Sequence, residues 1–420
     1  MGDLQRLFPE WAALNPATAE AERAEFAGIP GKGAVYLLVA EEGGVEVPVL
    51  LATVGDLRGA LRRRLADTPA EVKSKRVAYG AICTRVYYRV IHSAFAANFY
   101  YAEAARALFP ETVAALIPWR TSWWVAVERG ELVSLHPRFR KTNNLGDAGL
   151  AYAGPIRDKH AAGRLVESLE DLFDLCRYHN ILVQAPRGRA CAYKEMGKCG
   201  APCDGSVSLE AYREQVQAAL GYLSNAPGAR EGFRAELEGQ MKAAAGQLQF
   251  EAAAKIKQRL SRAGLLGTEP FAVTGPLEEF AFLSLQPGKG KPWVEPWVVH
   301  FGREPGIEAW PQFNVKEVAE AAAKIAGRVA ELPACPRALT AEQSEGAALV
   351  AHHLFRGEAD HGVWVRVSEV RERGAAAVVE AVERLRAKKA PKPMVEQSTD
   401  AQPEAVTTAE TQADAEGEKS

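Results

Sequence analysis

Two rhythms of apolar positions alternate along the first hundred residues. Ala34 to Ala40 and Val45 to Val54 are nearly continuous apolar runs separated by Glu41-Glu42-Gly43-Gly44, the pattern of two strands joined by a hairpin loop. Gly28-Ile29-Pro30-Gly31-Lys32-Gly33 reads as the turn that delivers the chain into the first run, and residues 1–28 read as a helical lead-in. After the second run the period changes: Leu57, Leu61 and Leu65 share one face of a helix over residues 56–65. A third strand is predicted at 85–91 and a helix at 94–108, with Pro110 closing the section.

Farther along, residues 119–152 are β-containing, and 164–176 form an amphipathic helix predicted to run straight into Cys176. The Ala- and Gln-rich stretch 208–266 has helical periodicity interrupted at Asn225-Ala226-Pro227-Gly228, which gives two helical blocks. Alternating runs at 280–285 and 293–301 predict a short antiparallel sheet, followed by helices at 315–332 and 341–355. From Lys388 onward Pro, Thr, Ala, Gln and acids dominate without aromatics, so the tail is expected to be disordered. The fold class is α+β. Its expected parts are a small mixed-sheet domain at 24–112, linker strands and a Cys-rich domain at 113–206, a helical region at 207–266, a small α+β domain at 268–387 and an acidic tail at 388–420.

Composition changes this picture little: 420 residues, 47% hydrophobic and 25% charged, fit two or three ordinary domains. Collagenous, wholly disordered and disulfide-stapled classes are excluded. The N-terminus has no basic segment leading into an apolar one, and no apolar run reaches the ~18 residues of a membrane helix. A cytoplasmic protein without membrane contact is therefore expected. Charge says more. The net −2 conceals residues 395–420, in which seven acids face Lys419 alone, so the remainder is positive by about four charges. The excess concentrates at Arg58-Arg62-Arg63-Arg64, Lys73-Lys75-Arg76 and Arg138-Arg140-Lys141.

Four of six cysteines, Cys176, Cys191, Cys199 and Cys203, fall within 28 residues among Gly197, Gly200, Pro202 and Gly205, while Cys83 and Cys335 stand alone as small core residues. Four thiolates in a turn-rich loop suit either tetrahedral zinc or an iron–sulfur cluster, which ligand type alone does not separate.

The string Arg189-Ala190-Cys191, with Gly197-Lys198-Cys199-Gly200-Ala201-Pro202-Cys203-Asp204-Gly205, resembles the R-x-C-x5-G-x-C-x-A-P-C-x-G signature of the UvrC family, the incision subunits of the bacterial nucleotide-excision nuclease. Ser208-Leu209-Glu210-Ala211-Tyr212 is similar to the helix start that follows in that family, Tyr152-Ala153-Gly154-Pro155 to its Y-F-G-P-Y, and Pro30 to Leu37 to the opening of a GIY-YIG nuclease domain. Met241 to Ile256 is similar to the UVR motif. The resemblance implies a [4Fe–4S] cluster, with zinc as the alternative, on Cys176, Cys191, Cys199 and Cys203. It also implies a UvrB-type partner bound through Met241, Leu248, Phe250, Glu251, Ala253 and Ala254. DNA is the other implied partner, with Arg62, Arg63, Arg64, Arg138, Arg140 and Lys141 as candidate contacts.

The likeness also implies a nuclease site of two tyrosines, an arginine and a glutamate around one Mg²⁺ or Mn²⁺. Tyr36 stands at the first tyrosine. The family's Y-V-G-K-A-x-D-L is here Leu50 to Leu57, so the second tyrosine is replaced. The arginine position falls on Ala60, flanked by Arg58 and Arg62, and the glutamate position falls on Tyr100 or Tyr101, with Glu103 the nearest carboxylate. No ribonuclease-H-like three-acid cluster or helix-hairpin-helix glycine pattern marks residues 268–387. Two readings follow: an accessory repair protein with a degenerate nuclease domain, or a short nuclease making one incision with Tyr36, Arg58 or Arg62, and Glu103. A redox sensor unconnected with DNA is a third, and it requires the order of motifs to be coincidence.

Overall fold

A computed structural model describes residues 2–14, 28–65, 78–129, 135–224, 228–264, 271, 273–356, 362–387 and 397–398. The chain forms two compact units, Met1–Pro118 with Lys392–Ser420, and Trp119–Pro391.

The first unit contains α1 (Gly2–Leu7), β1 (Glu10–Ala13), β2 (Ala34–Glu42), β3 (Val45–Val54), α2 (Leu57–Leu65), α3 (Tyr79–Ile82), β4 (Cys83–Val90), α4 (Ala94–Leu108) and α5 (Val113–Leu116). Its antiparallel sheet runs β1-β4-β2-β3, and Gln397–Ser398 add a short rung beyond β3, opposite Thr53 and Ala52. Gly43 and Gly44, at φ +58° and +82°, form the two-residue hairpin, which requires positive φ at both positions and so favours glycine. Alternate β2 residues Tyr36 and Leu38 join Leu50, Ala52, Leu57, Ala60 and Leu61 in one core, so α2 covers that face. α4 packs on β2 and β3 with its own buried Phe95 and Tyr101 outside that core, which places it on the other face. Ser93 caps α4 by accepting from Ala96 N at 3.1 Å.

The expected helical lead-in over residues 1–28 is corrected in its first half, and residues 15–27 lie outside the described residues. Among those described, only α1 is α-helical; β1 then pairs with β4, Trp11 opposite Tyr87, with the Arg85 guanidinium 4.8 Å above the Trp11 ring. A four-residue strand with one aromatic carries too little alternation to register. The basic run Lys73-Lys75-Arg76 lies outside the described residues, as does the acidic tail apart from Gln397–Ser398, whose pairing to β3 gives that dipeptide a place the expected disorder does not provide.

The second unit begins with β5 (Trp123–Glu128), β6 (Arg140–Thr142) and β7 (Leu150–Ile156), then α6 (Lys159–Leu172), α7 (His179–Leu182), α8 (Ala192–Glu195), α9 (Leu209–Leu223), α10 (Ala229–Gly246) and α11 (Phe250–Ala263). β8 (Gly275–Pro276) completes a sheet ordered β6-β5-β7-β8. A Cβ on Gly154 would stand 2.5 Å from the Trp124 ring, so only glycine lets that indole lie across β7. Val125, Val127 and Ile156 from this sheet share a core with Leu165 and Leu169 of α6 and with Tyr212, Val216 and Ala219 of α9.

Helix α6 starts earlier and stops sooner than its periodicity predicts. Asp158 caps it, accepting from Ala161 N at 2.8 Å, and Asp174 at φ +51° turns the chain out two residues before Cys176. The two helical blocks at 208–266 resolve into three helices, because α10 and α11 fold back on each other.

The remainder holds β9 (Phe282–Pro287), β10 (Trp293–Val299), β11 (Ile307–Ala309), β12 (Phe313–Asn314), α12 (Val318–Ala330), α13 (Ala341–Leu354), β13 (Val363–Arg366), α14 (Val367–Arg373) and α15 (Ala375–Ala387). The sheet runs β11-β10-β9-β13, with β12 also on β10. Leu283, Leu285, Val298 and Val363 pack there against Ala322 and Val329 of α12 and Val378 and Val382 of α15. Among the described residues no helix is long and apolar enough to cross a membrane.

Candidate functional site

The turn after α6, the loop around α8 and the 3-10 turn Pro202–Asp204 carry the four clustered cysteines, two of them (Cys176 and Cys203) buried and two half-buried. Ala201 at φ +54° and Gly205 at φ +80° give the chain the sharp bends this loop needs. Ala201 N donates to Cys199 Sγ at 3.4 Å, Cys176 Sγ donates to Tyr178 O at 3.5 Å, and Gly188 N donates to Cys203 O at 2.8 Å. The Cys176–Cys199 contact pushes the Cys176 thiol up and draws Cys199 down to about 7, with the Ala201 amide and Arg177 acting in the same direction on Cys199. Burial pushes Cys203 up, and Cys199 and Cys191 are close enough to add to that. Cys176, Cys199 and Cys203 therefore each feel another thiol of the set. Among the described residues no group of three or more His, Cys, Asp or Glu stands close enough to hold a metal ion. In kind, an acidified thiol with a backbone amide aimed at its sulfur fits a thiolate-ligated centre.

Beside this loop one carboxylate gathers three cations. Asp171 takes Arg177 on Oδ1, Arg262 of α11 on Oδ2 at 2.8 Å, and Lys198 at 4.0 Å. Arg259, one α-helical turn before, reaches Leu172 O and stands 3.4 Å from Asp174. Phe173 stacks on Phe233 of α10 at 4.5 Å and meets Tyr222 of α9 at 5.7 Å, while the Tyr222 hydroxyl donates to Ala263 O. The root of the α10–α11 hairpin is thereby fixed to α6 and α9 by rings and ions. None of these root residues was singled out from the sequence. The acid at Asp171 and the basic ends Arg259 and Arg262 lie 91 or fewer residues apart in separate elements, and only the fold brings them together.

The hairpin's far end is different. Leu248 and Phe250 are 73% and 67% exposed, Glu251 and Ala254 are exposed, and Met241 and Ala253 are half-buried. The turn is a Schellman cap, Gln249 N donating to Ala244 O at 2.9 Å and Leu248 N to Ala245 O at 3.0 Å. Leu248 occupies the left-handed position at φ +58°, where glycine is usual.

In the first unit, Tyr36 is fully buried in the α2-side core opposite Ala52 and Tyr88. Arg58 Nε donates to Ile29 O at 2.7 Å, and Arg62 is exposed. Glu103 is half-buried on α4, on the other side of the sheet from Tyr36. The family likeness set Tyr36 and Glu103 in one site; the sheet parts them. Arg62, Arg63 and Arg64 end α2, and exposed Arg138, Arg140 and Lys141 lie on or before β6 of the second unit.

Residues 123–222, the segment containing all four clustered cysteines, match the UvrC/Cho excinuclease middle domain. The chain is 34% identical to the UvrABC system protein C of Moorella thermoacetica over 30% of its own length and 20% of that protein. Identity to the proteins of the same name from Novosphingobium aromaticivorans and Halobacterium salinarum is 35% over 30% of this chain and 19% and 20% of theirs. The chain spans about a fifth of the length of the curated relatives it matches. No solved structure matches it.

Proposed function

We propose that this chain is a UvrC-like nucleotide-excision-repair protein that docks on a UvrB-type partner through α10–α11, contacts DNA, and lacks a working nuclease in its first unit. The observation that carries the reading is the matched 123–222 segment, which is continuous in one core with the root of a hairpin whose tip shows two large apolar side chains to solvent. Soluble proteins seldom hold a leucine and a phenylalanine at the end of a fixed arm without a partner to receive them. Arg138, Arg140 and Lys141 are the DNA contacts assigned to the matched segment, and Arg62, Arg63 and Arg64 those of the first unit.

Cys176, Cys191, Cys199 and Cys203 would hold a [4Fe–4S] cluster, with zinc as the alternative. That centre would supply folding energy to the loop; the chain's own part is the amide of Ala201 and the Arg177 charge, which favour a thiolate at Cys199. For the first unit, Leu50 and Ala60 leave no hydroxyl or guanidinium where water activation needs one, and Tyr36 is enclosed in the core.

Titration calorimetry with the host's UvrB-type protein tests the reading. Binding by the full chain, weakened by Phe250→Ala at the equivalent of about 2–4 kcal/mol, is expected of an interface anchor. No binding at tens of micromolar overturns the partner.

A further inference from the structure

The cysteine loop bears a surface that neither a thiolate centre nor the hairpin accounts for. From Arg177 to Lys198 the sequence has five Lys or Arg against Glu195 alone. The fold gathers three of those cations about the 3-10 turn Pro202–Asp204. Gly188 N donates to Cys203 O at 2.8 Å, which brings the neighbouring Arg187 and Arg189 to that turn, and Lys194 Nζ donates to Asp204 Oδ2 at 2.6 Å and Ser206 Oγ at 2.7 Å. All three cationic residues are exposed. Next to Lys194 stands Tyr193, whose ring meets that of Tyr178 at 5.7 Å and 52°. The Arg177 guanidinium lies 4.9 Å from the Tyr193 centroid and is itself held by Asp171. Tyr178 is the outer member of this stack, 46% exposed. A ring that is anchored yet half open to water loses little rotamer freedom when another flat group covers it.

Exposed cations beside an anchored ring select a ligand that is anionic along its length and carries flat apolar groups. Single-stranded nucleic acid is that ligand, since its backbone supplies a negative charge at every nucleotide and each unpaired base a face to stack. A duplex keeps its base faces inside the helix and offers only the charge. We infer that Tyr178 is a stacking platform for an unpaired base, with Arg187, Arg189 and Lys194 on the flanking phosphates. The inference rests on the repair reading only in taking the strand to be DNA, and it uses none of the cations assigned to DNA contact above.

The test is fluorescence anisotropy of the full chain with a short end-labelled oligothymidylate and with a strand of the same length whose sugars carry no bases. The two probes have the same charge, so any difference between them reports stacking. Oligothymidylate should bind about tenfold tighter. Tyr178→Ala should abolish that preference without changing the salt dependence, and Tyr178→Phe, which keeps the ring, should retain it. Arg187→Gln/Arg189→Gln should lower the slope of log affinity against log salt by about 1.4 for both strands and leave the preference intact. Arg138→Gln/Arg140→Gln should likewise weaken both strands alike. Equal affinity for the two strands, or a preference that survives Tyr178→Ala, overturns the stacking site and leaves the DNA reading standing; no binding of either strand at tens of micromolar overturns both.

Discussion

Arg262, in the last turn of α11, donates to Asp171 Oδ2 at 2.8 Å, while the other oxygen of the same carboxylate holds Arg177, the neighbour of Cys176. One side chain thus ties the hairpin to the cysteine loop. Asp171 and Arg177 are each only 16% exposed, so the pair is shielded from solvent far more than a surface ion pair.

Asp171→Asn should therefore lower stability by about 2–3 kcal/mol, since it leaves the Arg177 guanidinium short of its counter-charge. Hydrogen exchange should accelerate in the last turns of α11 and in the 176–203 loop together. Acceleration in the loop alone would refute the tie between them.

Glu170 faces Arg177 at 3.8 Å with Glu167 and Asp171 nearby, and burial pushes its carboxyl up to about 7 against the attraction of Arg177. Its folded value lies above the unfolded one, so the folded state binds the extra proton. The stabilisation is complete below about pH 4.5 and is lost as pH rises through about 7. Glu170→Gln should remove that part of the decline: wild type and variant melts should diverge between pH 5 and pH 8 in the variant's favour. Parallel curves across that range would contradict the assignment.

At the hairpin tip two substitutions should separate fold from docking. Leu248→Gly relieves a left-handed residue and should raise stability by about 1 kcal/mol, yet weaken the UvrB-type complex. Phe250→Ala, at an exposed position, should change stability by less than about 0.5 kcal/mol. Melting and calorimetric titration of both variants measure this; a large stability loss on Phe250→Ala would mean that the ring serves its own chain.

Anaerobic purification should give brown protein with broad absorption near ~400 nm, and Cys199→Ser should abolish the colour and destabilise the loop. Colourless protein with stoichiometric zinc selects the alternative metal; folded metal-free protein removes both.

No Mg²⁺- or Mn²⁺-dependent nicking of duplex DNA is expected, and Tyr36→Phe and Glu103→Gln should behave as wild type in a plasmid-nicking assay. Cleavage abolished by either change would install the single-incision reading in its place.

The larger elements were legible in the sequence because they obey one period for long enough. Residues 45–54 and 94–108 begin and end where the apolar pattern does, with Gly43-Gly44 and Ser93 supplying the punctuation. β12 and β13, two and four residues long, exist because β10 and β9 offer them edges, and nothing local announces that. The same division holds for the sites. Spacing gathered the four cysteines because they share one loop, in which Cys176 and Cys199 are in contact. The family likeness gathered Tyr36 and Glu103, which a sheet separates. The root of the hairpin, from Phe173 to Arg262, was invisible because its partners come from three helices distant in sequence.

The rung that Gln397–Ser398 make with Thr53 and Ala52 brings β3 a neighbour from near the other end of the chain. Two residues of pairing must hold a loop that spans almost the whole sequence, so this rung opens at far lower cost than the long pairing of β2 with β3. On warming, amide exchange at the Thr53 end of the sheet should quicken first, while β2 and β4 stay protected.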